Sequence, residues 1–443
     1  MITYLSFRNF RGFQLLELDD LKQITLLSGK NNVGKSSALE GAFLLLDHVN
    51  PQSFTKINAF RGNTAIPVST GLWEIAFYQM DTKKPLEIKA VFDGEPSALQ
   101  YLRDDSFVVL RMLRFAIKYK FKISNGINNY IEYAKTTKIN AFVVDIKDDQ
   151  VPAYKSKIYE TYSKTNFKYA YNSVEDYEYA ISRLKEEGFY VIGRITTFKD
   201  DYYAIDNPDN VIKKSDGSLL KHNGSYWPTA FNRDVWKFNV DLAKEAVNLF
   251  HFNEIQFDYC RFPDRLNTYE KAGTIDYNNI YKETKSEAIQ KFLMYATREI
   301  HKLNVYVSVD VFGESSWGYV TAYGQYWPAI SNIVDVISSM PYTDHFGKSV
   351  DTWSNPYQTV YNWAKGAATR QTEIPTPAIP RTWITAYDTP HWNPTVVYDA
   401  NKISAQAQAL VDAGLKGGFI TWNSASNLYK YRQIASAFSK DYA

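Results

Sequence analysis

Glu254-Ile255-Gln256-Phe257-Asp258-Tyr259-Cys260-Arg261-Phe262-Pro263 reads as a buried β-strand that delivers an acid at its end. Strand alternation puts Ile255, Phe257 and Tyr259 on one face and Gln256 and Asp258 on the other. A carboxylate at the end of a mostly apolar strand is costly to bury unless it is paired or put to use. In a barrel of parallel strands that end is where chemistry sits. The fold therefore turns on whether this strand is one of a repeating set.

It is. From about residue 118 the chain alternates strand and helix eight times, with strands near 119–124, 140–146, 190–197, 254–259, 305–312, 334–342, 381–387 and 417–423. Ser173-Val174-Glu175-Asp176 opens a helix with Tyr177, Ala180, Ile181 and Leu184 on one face, and Gly188 stops it. Val235, Phe238, Leu242, Ala246 and Leu249 make a second apolar stripe. Ile289, Leu293, Ala296 and Ile300 make a third. Ile403, Ala407, Leu410 and Val411 make a fourth, ended by Gly414. Evenly spaced β–α units in this number predict an α/β fold, a (β/α)8 TIM barrel, with a doubly wound sheet as the alternative.

The expected strand ends are rich in acids and aromatics. Strand two ends at Asp145 and Lys147. Strand three offers Arg194, and strand four Asp258 and Arg261. Strand five, Val305 to Glu314, points its valines to one face and Tyr306, Ser308, Asp310 and Phe312 to the other. Strand six leads to Tyr342 and His345, and strand eight to Trp422 and Asn423. Asp258 and Asp310 fall on neighbouring strands about 4.8 Å apart. Two carboxylates flanking a bond are what glycoside hydrolysis requires, and aromatic rings suit sugar faces. The alternative is structural: Asp258 pairs with Arg261 or Arg194, and Asp310 is held by neighbouring donors.

Asn140 to Asp149, Glu254 to Pro263, Ser308 to Gly313, Gly324-Gln325, Met340 to His345 and Trp422-Asn423 together resemble the "putative glycosyl hydrolase" barrel family, distantly related to α-amylase-type barrels, over about residues 120–443. The resemblance implies a hydrolase of poly- or oligosaccharides. It implies Asp258 as the nucleophile-like acid and Asp310 or Glu314 as the proton donor. Asp145, Lys147, Arg194, Arg261, Tyr342, His345, Trp422 and Asn423 would then bind substrate. Thr343-Asp344 departs from the Pro-Ser usual there, and strand one is poorly matched, which puts barrel closure in question. A barrel that holds sugar without turnover is the second reading.

The first hundred residues are of another kind. Nine of the ten tryptophans lie after residue 220. Gln23 to Ser28 reads as a short strand and runs into Gly29-Lys30-Asn31-Asn32-Val33-Gly34-Lys35-Ser36-Ser37, a G-x-x-x-x-G-K-S loop before a helix reaching about His48. Backbone N–H groups of such a loop curl around phosphate, Lys35 supplies charge, and Ser36 can hold Mg²⁺. With Tyr4 to Gly12, this resembles the N-terminus of AAA/ABC-type ATPases of the RecF, SMC and OLD-nuclease group. The resemblance implies ATP and Mg²⁺ at Gly29, Asn32, Gly34, Lys35, Ser36 and Ser37. The second acid that hydrolysis needs is missing, since Asp145 is absorbed as a barrel strand end. The expected division is a truncated P-loop ATPase-like segment over 1–107 and a barrel over 108–443.

Composition narrows the rest. A net charge of +2 gives no general pull toward nucleic acid or membrane. One cysteine, Cys260, excludes an intrachain disulfide. No His/Asp/Glu spacing defines a metal site, although calcium could fit acids such as Asp200, Asp201 or Asp206. Without a basic and apolar leader the expectation is a cytoplasmic product, whereas barrel relatives are often exported or membrane-anchored.

Overall fold

The computed structural model describes residues 2–22, 35–46, 86–92, 95–101, 115–119, 126–345, 350–389, 395–423 and 426–442. The chain divides into two compact units, Met1–Arg111 and Met112–Ala443.

The first unit holds a four-stranded antiparallel sheet in the order Phe13–Leu18, Ile2–Phe10, Leu86–Phe92, Glu95–Tyr101. Leu5, Phe7, Phe10, Leu86, Ile88 and Ala90 form its core with Ala38 and Leu44 of the helix Lys35–Leu46. Gly41 permits that packing: a Cβ there would lie 2.2 Å from the Phe7 ring. The strand expected at 23–28 lies outside the described residues, as do Gly29, Asn32 and Gly34. Lys35, Ser36 and Ser37 open the helix.

In the second unit eight parallel strands follow one another around a closed ladder. They are Phe115–Tyr119, Ala141–Asp148, Tyr190–Thr196, Glu254–Asp258, Tyr306–Phe312, Val336–Met340, a split seventh strand (Ile379–Pro380 and Thr382–Thr385), and Phe419–Trp422. The eighth pairs with the first, Phe419 opposite Phe115 and Ile420 opposite Ala116, which closes the ring. The two parts of strand seven divide the work: Ile379–Pro380 pairs with strand six and Thr382–Thr385 with strand eight. This order excludes the doubly wound sheet.

Strand one is described at Phe115–Tyr119; of the stretch expected at 119–124, residues 120–124 lie outside the described residues. The helix with its N-cap at Ser173 forms as expected, with Tyr177, Ala180, Ile181 and Leu184 buried and Gly188 at φ +83° beyond its end. The helix Arg233–Phe250 differs at its last turn, where Phe250 takes the buried position and Leu249 is exposed. A 3.6-residue repeat from Ala246 lands between the two, and the larger ring takes the core.

The outer layer of the core packs Ile255, Phe257, Val307, Val309 and Val311 against helices such as Lys285–His301. The barrel interior is different in kind. Its floor carries a buried ion pair, Glu254 with Arg381, to which the Tyr190 hydroxyl adds a 3.1 Å hydrogen bond. Above it sit Val143, Ile192, Trp383 and Ile420. The polar groups of the interior thus lie at its two ends and along strands four to six.

Candidate active site

The C-terminal end of the barrel is organised by one guanidinium. Arg194 projects inward from strand three and is nearly sealed from solvent. Its Nε donates to Asp258 Oδ2 at 2.9 Å, and Nη2 donates to the same oxygen. Nη1 donates to Asp145 Oδ1 at 2.8 Å and to Asp148 Oδ1 at 3.3 Å. One cation therefore serves three carboxylates from strands two and four.

Asp258 receives a further bond from the Tyr259 backbone N–H, 2.6 Å from Oδ1. Tyr259 adopts φ +48° there, an uncommon conformation for a bulky residue. The turn it makes ends the strand and lets the backbone reach back to its own acid.

Asp310 has the opposite surroundings. It stands on strand five beside Asp258, one step beyond the register pair Phe257 and Val309. Its Oδ1 accepts one hydrogen bond, from Trp383 Nε1 at 2.7 Å. Its Oδ2 is buried with no hydrogen-bond partner among the described residues. Burial, and then the charge of Asp258, push its pKa well above the ordinary carboxylate range, against the pull of Trp383, Arg194 and Arg381.

Two positioning groups were not visible in strand-end residues. Trp383 fixes the Asp310 carboxyl from strand seven. Its signal was the inward parity of a tryptophan in Thr382-Trp383-Ile384. Gln325 ties the ends of strands four and five together: Nε2 reaches the Cys260 and Asp310 carbonyls at 3.3 and 3.4 Å, and Oε1 accepts the Phe312 N–H at 2.9 Å. The preceding Gly324 has φ +90°, and a Cβ there would lie 2.9 Å from the Lys285 backbone, so the turn requires glycine.

Of the expected substrate-binding residues, Tyr342 and Trp422 line this end with Trp383. Ring centroids are 6.3 Å apart for Tyr342 and Trp422 and 5.9 Å for Trp383 and Trp422. Burial and the neighbouring Asp310 charge raise the Tyr342 pKa. His345 is exposed and edges onto Tyr342 at 5.5 Å. Arg261 is buried among aromatic rings rather than paired with Asp258.

Lys147 is displaced from its expected role. The ladder slips between Asp145, opposite Arg194, and Lys147, opposite Ile195. This bulge turns Lys147 to the outer face, where it pairs with Asp200 at 2.7 Å, both fully buried. Asn423 Nδ2 donates to the Ala386 carbonyl at 3.1 Å. Glu314 lies on the short helix Gly313–Trp317, exposed at the rim, where it accepts from Tyr319 and Tyr323 hydroxyls at 2.8 and 2.9 Å.

The acids considered for calcium have protein partners. Asp200 has Lys147, Asp201 accepts from the Tyr226 N–H, and Asp206 accepts from Ser163 and Thr165. Among the described residues no cluster of three His, Cys, Asp or Glu could hold a metal ion, and no helix is long and apolar enough to cross a membrane. A surface cleft of about 1140 Å³ lies on the barrel flank, lined by Trp236, Met294, Tyr295 and Arg298. It is remote from the carboxylates and carries none of this chemistry.

A family model described as a putative glycosyl hydrolase domain matches residues 117–429, well over half of the chain. A hypothetical protein from Ruminiclostridium thermocellum is 28% identical, with 44% of this chain and 97% of that one covered and a TM-score of 0.38. The chitobiase of Flavobacterium johnsoniae is 10% identical over 78% of this chain and 52% of that one, TM-score 0.43. The spore cortex-lytic enzyme SleL of Bacillus megaterium is 12% identical over 79% and 78%, TM-score 0.46. Among curated proteins, an ATP/GTP phosphatase of Helicobacter pylori is 25% identical over 94 residues, and an uncharacterized protein of Methanocaldococcus jannaschii is 48% identical over 46. Those matches cover 21% and 10% of this chain, and only 25% and 21% of the curated relatives' own lengths.

Proposed function

The chain belongs to the putative glycosyl hydrolase domain family, and from that premise we propose that its barrel cleaves glycosidic bonds in a poly- or oligosaccharide with the carboxylates of Asp258 and Asp310. The single observation that carries this reading is the contrast between the two acids. Asp258 is gripped by Arg194 and a backbone N–H. Asp310 is buried beside it with one indole donor. A buried carboxyl whose pKa is raised, beside a second carboxyl bound by an arginine, supplies the pair that acid/base cleavage of a glycosidic bond uses.

In this mechanism Asp310 donates its proton to the glycosidic oxygen as the bond from that oxygen to the anomeric carbon breaks. The departing sugar leaves as a neutral alcohol. Asp258 stabilises or captures the developing positive charge at the anomeric carbon, or activates the water that attacks it. The attacking water keeps one proton in the new anomeric hydroxyl and gives up the other, which restores Asp310 or passes to solvent. Arg194 holds Asp258 in orientation, and Trp383 holds Oδ1 of Asp310 so that Oδ2 faces the bond. Tyr342 and Trp422 offer faces for sugar rings.

The test is Asp310→Asn on two classes of substrate. Cleavage of unactivated oligosaccharides should fall by about 10²–10⁴-fold. Dinitrophenyl glycosides, whose leaving group needs no proton, should lose far less. Equal loss on both would remove Asp310 as the proton donor.

For the first unit, ATP and Mg²⁺ binding is supported by the helix that opens at Lys35 and Ser36. Comparing nucleotide affinity of the intact chain with Lys35→Ala tests it, and equal affinity would end it.

A further inference from the structure

The Arg261 guanidinium is an unusual group to find at the rim of a sugar site. It lies three residues beyond Asp258, and only 6% of its surface is exposed. Four aromatic rings surround it: Phe312 at 4.2 Å from its central carbon, Trp227 at 5.0 Å, Tyr259 at 5.2 Å and Tyr323 at 5.8 Å. These rings hold the plane of the guanidinium and offer it π faces. They do not accept its hydrogen bonds in the plane.

Those bonds are mostly unmade. Nη1 donates to the Phe262 carbonyl at 3.0 Å and touches Asp264 Oδ1 at 3.4 Å. Asp264 is itself shared with Arg265 at 3.6 Å. Nε and Nη2 meet no protein acceptor among the described residues. Arg194, by comparison, spends all three nitrogens on carboxylates. A buried arginine ordinarily has its fork filled by a carboxylate or phosphate, because leaving the charge uncompensated is costly. Burial accordingly lowers the Arg261 pKa, and nearby acids offset this only in part.

We propose that Arg261 is the recognition point for the carboxylate of a uronic acid residue, bound next to the bond that Asp258 and Asp310 cleave. This rests on the hydrolase reading for its place in catalysis, but the binding claim stands apart from turnover. The fixed plane and the free Nε/Nη2 edge match the two oxygens of a carboxylate, and the flanking rings stack on the sugar that carries it. A neutral sugar would leave the fork empty, so the site would select against it.

The experiment measures binding in Asp310→Asn protein, where hydrolysis does not consume the ligand. Calorimetry is run on matched pairs of oligosaccharides: trigalacturonate, a hyaluronan tetrasaccharide and a trimannuronate, each against its carboxyl-reduced counterpart. At least one uronate should bind about tenfold or more tightly than its reduced partner, with the preference shrinking as salt is raised. Arg261→Met should abolish that preference. Arg261→Lys, which keeps charge without the fork, should retain a small part of it and guards against a Met variant that fails to fold. If no uronate is preferred, or if Arg261→Met leaves the preference intact, the proposal is overturned. Preferential binding by a wild type that cleaves nothing would sink the hydrolase reading and leave the Arg261 site standing.

Discussion

Asp258 and Asp310 stand beside each other on neighbouring parallel strands, with Phe257 opposite Val309 one step below, yet they meet opposite surroundings. Arg194 and the Tyr259 N–H converge on the first. Among the described residues only Trp383 donates to the second. The same side chain at the same level of the barrel thus meets two different environments, and the one around Asp310 raises its pKa.

The pH dependence of cleavage follows from this. Asp310 must hold its proton to act, so the rate should fall as pH rises through its elevated pKa. Trp383→Phe removes a hydrogen bond that favours the ionised form, which raises that pKa further. The basic limb of the kcat profile should therefore move to higher pH, with kcat itself reduced about tenfold by loss of orientation. A basic limb that stays in place, or moves down, contradicts the assignment.

Stability should show the same group. In the fold Asp310 keeps its proton at pH values where the unfolded chain has lost it. The unfolded state then binds fewer protons, and stability declines as pH rises from the unfolded carboxylate pKa through the folded one. Asp310→Asn carries no charge and can still accept from Trp383. Its melting temperature should exceed that of the wild type by several degrees at neutral pH. The gap should close near pH 4, about the unfolded value. Thermal unfolding across pH 4–8 measures it; a constant offset would point to packing instead.

Glu314 discriminates between the two candidate donors. Its carboxylate sits at the exposed rim between two tyrosine hydroxyls, and Glu314→Gln can keep one of those bonds. Cleavage should drop less than about tenfold, well short of the loss expected from removing a general acid. A loss of a thousandfold would transfer the role from Asp310 to Glu314.

The Lys147–Asp200 pair should matter for folding alone. Both groups are sealed, and Asp200 also accepts from Asn166 and from the Tyr203 N–H. Lys147→Met leaves a buried carboxylate without its cation, at a cost of about 3–5 kcal/mol. Denaturant unfolding should register that loss, while the rate per folded molecule stays unchanged. A selective loss of sugar affinity at unchanged stability would restore Lys147 to the site.

Much of this was legible in the chain. The alternation of Ile255 and Phe257 against Gln256 and Asp258 placed both faces of strand four correctly, because one face of a barrel strand meets helices and the other meets the interior. The same rule failed at Lys147, where a bulge adds a residue that no sequence period records. It failed in another way at Arg261, which has the position of a ligand-binding residue but whose aromatic enclosure is assembled from Trp227, Phe312 and Tyr323, each distant in sequence. Trp383 was hidden for the same reason: its partner Asp310 lies 73 residues away. Parity along one strand reads locally, whereas the partner of a buried acid is set by closure of the whole ring.

The central claim is that Asp258 is a reacting carboxylate, and Asp258→Asn tests it most directly. The variant keeps the shape of the side chain, and its fold can be checked by circular dichroism. Reducing-sugar release from a panel of polysaccharides, uronate-bearing ones included, should be clear for the wild type and fall by at least about 10³-fold in the variant. Undiminished release by a correctly folded Asp258→Asn protein would contradict the account.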